Sequence, residues 1–217
     1  MLNNFQHIRN IFCVGRNYAL HATELGNKIP TKPMIFSKPT HALFPSEGEL
    51  VISAKKGNIH YEVELVVLIG ETYEQGKPIE QIVKGIAMGI DLTAREIQSE
   101  LKEKGHPWLL AKGFRGSAIL SNFIPFSSLE DFNQLEFKLV RNGEMVQIGN
   151  PKNMIFPLQI LIEYIGTNFG LGKGDIIYTG TPEGVGSIQN GDVLNMQLTN
   201  KNNGIDIEYG PLLVKIK

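Results

Sequence analysis

His60-Tyr61-Glu62-Val63-Glu64-Leu65-Val66-Val67-Leu68-Ile69-Gly70 sets two acids at the head of an apolar run. From Val63 onward it is β-branched and aliphatic, and Gly57-Asn58 and Gly70 bound it, the pattern of a strand buried over much of its length. Glu is depleted in strands, yet two stand here with one residue between them. Alternation puts Glu62 and Glu64 on one face, about 6.5–7 Å apart along the backbone. Two carboxylates held together out of water repel and are costly to desolvate unless a cation joins them. A half-exposed strand with two solvated acids is the other reading that this stretch allows.

The surrounding composition sets the frame. With 217 residues, 42% hydrophobic and 20% charged, the chain can bury a sizeable core without disulfides, and residues 1–217 are expected to form one domain. The 23 glycines and 11 prolines imply many turns and favour an α+β, β-rich fold over a helix bundle. Net charge is −1 with scattered basic residues, so neither a nucleic-acid nor a membrane surface is expected. Cys13 is the single cysteine and sits in the apolar run Ile11-Phe12-Cys13-Val14, which reads as a small buried hydrophobe. The N-terminal residues lack a secretory apolar core, and no apolar run approaches the roughly 20 residues that span a bilayer. A cytoplasmic location is the expectation.

Outward from the acidic strand, Ile8 to Val14 reads as a short strand, and Arg16 to Gly26 as one or two helical turns capped by Gly26. His21 and Glu24, three apart there, can share a face, either as a general base oriented by a carboxylate or as a solvated polar pair. Met34-Ile35-Phe36 is a strand ending at Lys38-Pro39, and Leu50-Val51-Ile52 another within a turn-rich segment. Ile79 to Lys84 reads as a short helix. Ile86 to Ile90 is a buried strand that delivers Asp91, either a site residue or the N-cap of a helix over Leu92 to Leu101. Arg95 and Gln98 lie three apart on that helix. Lys112, the one charge in Trp108 to Phe114, is at a strand edge or aimed at an anion. Leu135 to Arg141, the turn Asn142-Gly143 and Glu144 to Ile148 form a hairpin. Met154 to Ile165 has helical spacing. Asp175 to Thr179 is a strand entering the Gly-rich loop Gly180-Thr181-Pro182-Glu183-Gly184-Val185-Gly186, able to bring backbone N–H groups to an anion. Asp192 to Leu198 and Gly210 to Ile216 supply closing strands.

Taken in order, Gly15-Arg16-Asn17-Tyr18, His21-x-x-Glu24, His60-Tyr61-Glu62-Val63-Glu64-Leu65, Gly89-Ile90-Asp91-Leu92-Thr93-Ala94-Arg95, Pro107-Trp108, Ala111-Lys112, Met154-Ile155-Phe156 and Thr179-Gly180-Thr181-Pro182-x-Gly184-Val185-Gly186 resemble the fumarylacetoacetate hydrolase domain family, in its short acylpyruvase and oxaloacetate decarboxylase branch. The resemblance runs from Gly15 to Gly186 and implies a mixed β-sandwich roll with a few short helices and a homodimer. It implies Mg²⁺ or Mn²⁺ held by Glu62, Glu64 and Asp91. It sets Arg16, Arg95, Gln98, Lys112 and Thr181 around a small 2-oxo or 2,4-dioxo acid, with His21, Glu24 and Lys112 as catalytic residues. His21 and Glu24 would ride on a lid over about residues 16–30.

Three carboxylates suit a hard, oxygen-seeking cation and not a soft-ligand zinc site. Such an ion would carry the charge of an enolate left when a bond beyond C3 breaks. The leading expectation is therefore hydrolysis of a C–C bond in short acylpyruvates such as fumarylpyruvate or acetylpyruvate, with oxaloacetate decarboxylation alongside. An isomerase or decarboxylase of hydroxymuconate-type acids is the enzymatic alternative, and a metal- and oxo-acid-binding protein without turnover is the alternative of another class. The 181–186 loop is expected to donate N–H groups to developing charge. Arg115 follows Gly113-Phe114 where relatives commonly carry an acid, and it is expected to bear on the substrate tail.

Overall fold

Alternation along the acidic strand organises the core. Val63, Leu65, Val67 and Ile69 enter one apolar cluster, while Val66 and Leu68 enter a second on the opposite face. The strand is therefore buried on both sides, which explains its nearly continuous apolar sequence. The structure, a computed structural model, describes residues 5–24, 26 and 28–217. Leu25 and Asn27, inside the expected lid, lie outside the described residues.

The main sheet runs in the order Met34–Lys38, Ile11–Gly15, Ile176–Tyr178, Val63–Ile69, Val83–Asp91, Ala118–Leu120, Leu43–Pro45, with Ile124–Pro125 also paired to Val83–Asp91. Ile11–Gly15 is parallel to Ile176–Tyr178, and Leu43–Pro45 to Ala118–Leu120; the other pairs are antiparallel. A second sheet runs Glu144–Gly149, Glu136–Arg141, Val193–Asn200, Ile205–Ile216, Gly48–Ile52. Leu65, Val67, Met88 and Ile177 of the first meet Phe137, Leu139, Met196 and Leu212 of the second in one buried cluster. Helix Leu158–Phe169 adds Leu161, Ile162 and Ile165 to it. The expected β-rich α+β fold with a few short helices is what forms. Cys13 is fully buried in the other cluster, as its apolar neighbours imply. No helix among the described residues is long and apolar enough to cross a membrane.

Three local expectations are corrected. The acidic stretch is not one strand: Ile59–Tyr61 pairs with Thr93–Ala94 and Gly186–Ser187, the ladder breaks at Glu62, and Val63–Ile69 continues in the main sheet. The helix expected from Leu92 begins at Arg95, because Thr93–Ala94 is held in that small sheet, and Ala94 rather than Asp91 is its N-cap residue. The helix expected from Met154 begins at Leu158 after Pro157, whose preference for an extended preceding residue keeps Phe156 out of the helix.

Candidate active site

The sheet register gathers the acids. Val63 pairs with Ile90 and Glu64 with Gly89, and the Asp91 N–H donates to the Glu62 carbonyl at 2.8 Å. Positions 62, 64, 89 and 91 therefore share one face despite the break at Glu62. Gly89 is required there, since a Cβ would come 2.5 Å from the Tyr178 ring and 2.6 Å from Val66. Carboxylate oxygens of Glu62, Glu64 and Asp91 lie within 4.8 Å of one another, and all three residues are buried.

Cations meet them from three elements. Lys112 ends the helical turn Leu109–Lys112, not a strand, and its Nζ donates to Glu62 Oε2 at 2.8 Å and Asp91 Oδ2 at 2.7 Å. Arg95, first residue of its helix, donates to Glu62 Oε1 at 2.5 Å and to Gln98 Oε1 at 2.7 Å. Lys38, fully buried, lies 2.7 Å from Asp91 Oδ1. Its ammonium also serves the carbonyls of Leu92, Lys112 and Ser117 and the Ser117 hydroxyl.

These neighbours set the protonation states. Burial alone would raise the Glu62 carboxyl, but Lys112 and Arg95 hold it well below the usual carboxylate range. Burial pushes Glu64 up, and the negative Asp91 and Glu62 push it further; the Gly180 N–H, donating to its Oε2 at 2.7 Å, offsets only part. Burial opposes the Lys112 ammonium, yet Asp91 and Glu62 raise it above its ordinary value.

The residues present fit a divalent cation. Asp91 Oδ1 is buried and receives no aligned hydrogen bond, because the protons of Lys38 have four other acceptors. Glu64 has no ion-pair partner among the described residues. Three buried carboxylates with two under-served are a hard-ion donor set.

His21 and Glu24 stand beside this cluster. His21 on helix Ala19–Glu24 is 4% exposed, with Nδ1 3.4 Å from Glu24 Oε2. Burial lowers the imidazole pKa more than Glu62 and Glu24 raise it, so the ring is neutral at neutral pH. Glu24 also accepts the Gly184 N–H at 3.1 Å and 3.3 Å. Two Gly-rich-loop N–H groups, Gly180 and Gly184, thus serve the chain's own carboxylates, so of the 181–186 loop expected to donate to developing charge, the Gly184 N–H is already engaged by Glu24. Gly180 can do so because it adopts φ 103°, a region closed to side chains.

His21, Arg16, Arg95, Gln98, Lys112 and Thr181 line one cavity with the three acids, of about 30 Å³, room for about one water. Thr181 is held from below: buried Gln147 donates from Nε2 to Thr181 Oγ1 at 2.9 Å and accepts the Val63 N–H at 2.9 Å. The segment before helix Ala19–Glu24 is held by Asn17, which donates to the Thr179 and Phe156 carbonyls and accepts the Phe156 N–H. That contact explains the Met154-Ile155-Phe156 motif, since Ile155 and Phe156 bind Asn17 instead of forming helix.

Sequence reasoning did not single out Lys38, Gln147 or Lys102, which also lines the cavity. Lys38 had a signal, a lysine in phase with Phe36 on an apolar strand; Gln147 had none. Arg115 lines a separate, wider groove of about 1380 Å³ beside Phe44 and Tyr209, so the expectation that it bears on the substrate tail is corrected.

Comparisons with known proteins identify the family. The family model described as fumarylacetoacetate (FAA) hydrolase C-terminal matches residues 10–208. The mitochondrial oxaloacetate tautomerase FAHD1 of Bos taurus is 40% identical over 186 residues, 85% of this chain and 84% of that one. The mitochondrial oxaloacetate decarboxylase of Dictyostelium discoideum is 40% identical over 197 residues, 88% of this chain and 89% of that one. The fumarylpyruvate hydrolase of Pseudomonas aeruginosa, solved with Mn²⁺ and pyruvate, superposes with a TM-score of 0.85 at 32% identity over 97% of this chain and 91% of that one. A family match over nearly the whole chain and relatives at two-fifths identity leave one assignment: this chain belongs to the fumarylacetoacetate hydrolase C-terminal family of enzymes.

Proposed function

We propose that this protein is a Mg²⁺- or Mn²⁺-dependent enzyme of short 2-oxo acids, with oxaloacetate as the favoured substrate, tautomerised between enol and keto forms and decarboxylated. The observation that carries the reading is the buried triad Glu62, Glu64 and Asp91 in one cavity with the cations Arg16, Arg95, Lys102 and Lys112 and a neutral imidazole. Glu62, Glu64 and Asp91 would hold the cation, which when bound supplies Lewis-acid charge beside the 2-oxo and carboxylate oxygens. Arg95 and Gln98, already linked to each other, present donors to the substrate oxygens at the same wall. Lys112 adds positive charge where enolate charge develops. His21 moves the C3 proton: its neutral ring can accept one from C3 of the keto acid while the 2-oxo oxygen gains one to give the enol, and the reverse steps restore the keto form. Decarboxylation breaks the C3–C4 bond, leaves its electron pair in the enolate and needs no base. The relatives thus move the emphasis from acylpyruvate cleavage, the leading expectation from sequence, to oxaloacetate chemistry.

Hydrolysis of acylpyruvates is the second reading, and the His21–Glu24 pair favours it. A neutral imidazole oriented by a carboxylate suits removal of a proton from water attacking a distal carbonyl. Purified protein assayed with Mg²⁺, Mn²⁺ or EDTA against oxaloacetate, acetylpyruvate and fumarylpyruvate decides between them. Glu62→Ala is expected to abolish metal-dependent turnover of every substrate; full activity with unchanged metal dependence would reject the site. His21→Ala is expected to lower hydrolysis by about 10²–10⁴-fold while sparing decarboxylation.

A further inference from the structure

The charges around the cavity do not cancel. Glu62 is engaged by Arg95 and Lys112, Asp91 by Lys112 and Lys38, and Glu64 by the Gly180 N–H. Two further cations line the same cavity, Arg16 and Lys102. Among the described residues neither side chain makes an ion pair or a hydrogen bond. Both are only partly exposed, so water does not fully screen them.

Lys102 shows the consequence of having no counter-ion. Burial, Arg16 and Arg95 all act to lower the Lys102 pKa, which records mutual repulsion at the cavity mouth. Lacking an anion, the Lys102 ammonium sits over the Trp108 ring, 5.3 Å from its centroid. Arg16 is held in the left-handed region at φ 58°, unusual for a residue with a side chain. Such backbone strain persists where the surroundings enforce it, commonly at ligand sites. The cavity therefore holds more positive charge than its own carboxylates balance.

We infer that Lys102 and Arg16 form the subsite for a second, distal carboxylate, making this a site specific for 2-oxo dicarboxylates over 2-oxo acids with one charge. The inference rests on the proposed function for the near end: the 2-oxo carboxylate would go to the cation that the acidic triad would hold, beside Arg95 and Gln98, and the far carboxylate to Lys102 and Arg16. Oxaloacetate and fumarylpyruvate carry that second charge; acetylpyruvate does not. Lys102 then discriminates among substrates by holding the far carboxylate.

The test compares enol–keto tautomerisation of oxaloacetate with that of its 4-methyl ester; the ester cannot lose CO₂, but tautomerisation leaves C4 in place and is open to both compounds, which differ in the distal charge. The wild type is expected to prefer the diacid, and Lys102→Met to lower the ratio of kcat/KM values by roughly ten-fold or more, as loss of one charge-assisted contact does. Lys102→Arg should restore most of the ratio. Lys104→Met, at an exposed lysine on the same helix end, is expected to leave it unchanged. Arg16→Asn, which tolerates the left-handed backbone, should lower the ratio as Lys102→Met does. A merely structural lysine stacked on Trp108 would lower both substrates alike, and an unaltered ratio in Lys102→Met overturns the inference. Wild-type protein that converts neither compound sinks the proposed function instead. Mg²⁺-dependent thermal shifts with the two compounds then decide the subsite: equal shifts overturn it, and a larger shift with the diacid that Lys102→Met abolishes upholds it.

Discussion

Glu64 is the residue at which burial and like charge act together. Its carboxyl is raised by desolvation and by Asp91 and Glu62, so without a cation it keeps its proton above the usual carboxylate range. A cation needs the carboxylate, so binding must expel that proton. In the window between the ordinary and the raised pKa, metal affinity therefore climbs with pH. Calorimetric titration of Mn²⁺ in buffers of different ionisation enthalpy should show release of about one proton in wild type and almost none in Glu64→Gln. Equal release from both proteins would mean that another group holds the proton. His21 has the opposite shift, lowered by burial. Its neutral form persists below the ordinary histidine value, so the acid limb of a hydrolytic kcat/KM profile should inflect below about 6.5. Glu24 opposes that shift through its charge and hydrogen bond, so Glu24→Ala should move the inflection lower still, besides slowing the reaction.

At the scale of elements, the site depends on how a few polar side chains bolt one segment to another. Gln147 reaches from the strand Glu144–Gly149 to the Val63 N–H, Thr181 Oγ1 and the Pro182 carbonyl. Gln147→Met keeps the volume but strands those groups, so urea unfolding should show a loss of about 1–3 kcal/mol, the cost of leaving a buried donor unpaired. A value near zero would show that the loop re-satisfies itself. This bolt also marks where sequence reading stops. The hairpin was legible because Asn142-Gly143 favours positive φ at both turn residues, which take 53° and 84°. The shared face of Glu62 and Glu64 was legible because alternation is a local rule, and it survives the break in the ladder. Gln147 was illegible because its partners stand 84 and 34 residues away, and on its own strand it reads as an ordinary outward-facing polar residue. Lys112 was left between an edge and an anion because a single helical turn carries no periodicity. Lys38 read as a strand end because the carbonyls it binds come from segments 54 to 79 residues distant.

Over the whole molecule, the acidic cluster links metal loading to fold stability. Glu62 and Asp91 lie where two central strands of the main sheet meet the small sheet, and Lys112 bridges them from a separate helical turn. Without a bound cation that ammonium is the chief local compensation for two buried charges. Removing one partner of a buried charge network typically costs about 3–5 kcal/mol, because the charges left behind are uncompensated. Lys112→Met should accordingly unfold at a markedly lower Tm than wild type in EDTA. A divalent ion offers the carboxylates a replacement, and a ligand at 100 times its Kd stabilises by about 2.7 kcal/mol in the simplest case. The Tm gain on adding Mn²⁺ should then be larger in Lys112→Met than in wild type, although turnover of oxaloacetate stays low because charge near the substrate is lost. Calorimetry on both proteins, with EDTA and with saturating Mn²⁺, checks this. If Mn²⁺ raises neither Tm, the triad is not a cation site; if both rise equally, Lys112 is not what balances its charge in the metal-free chain.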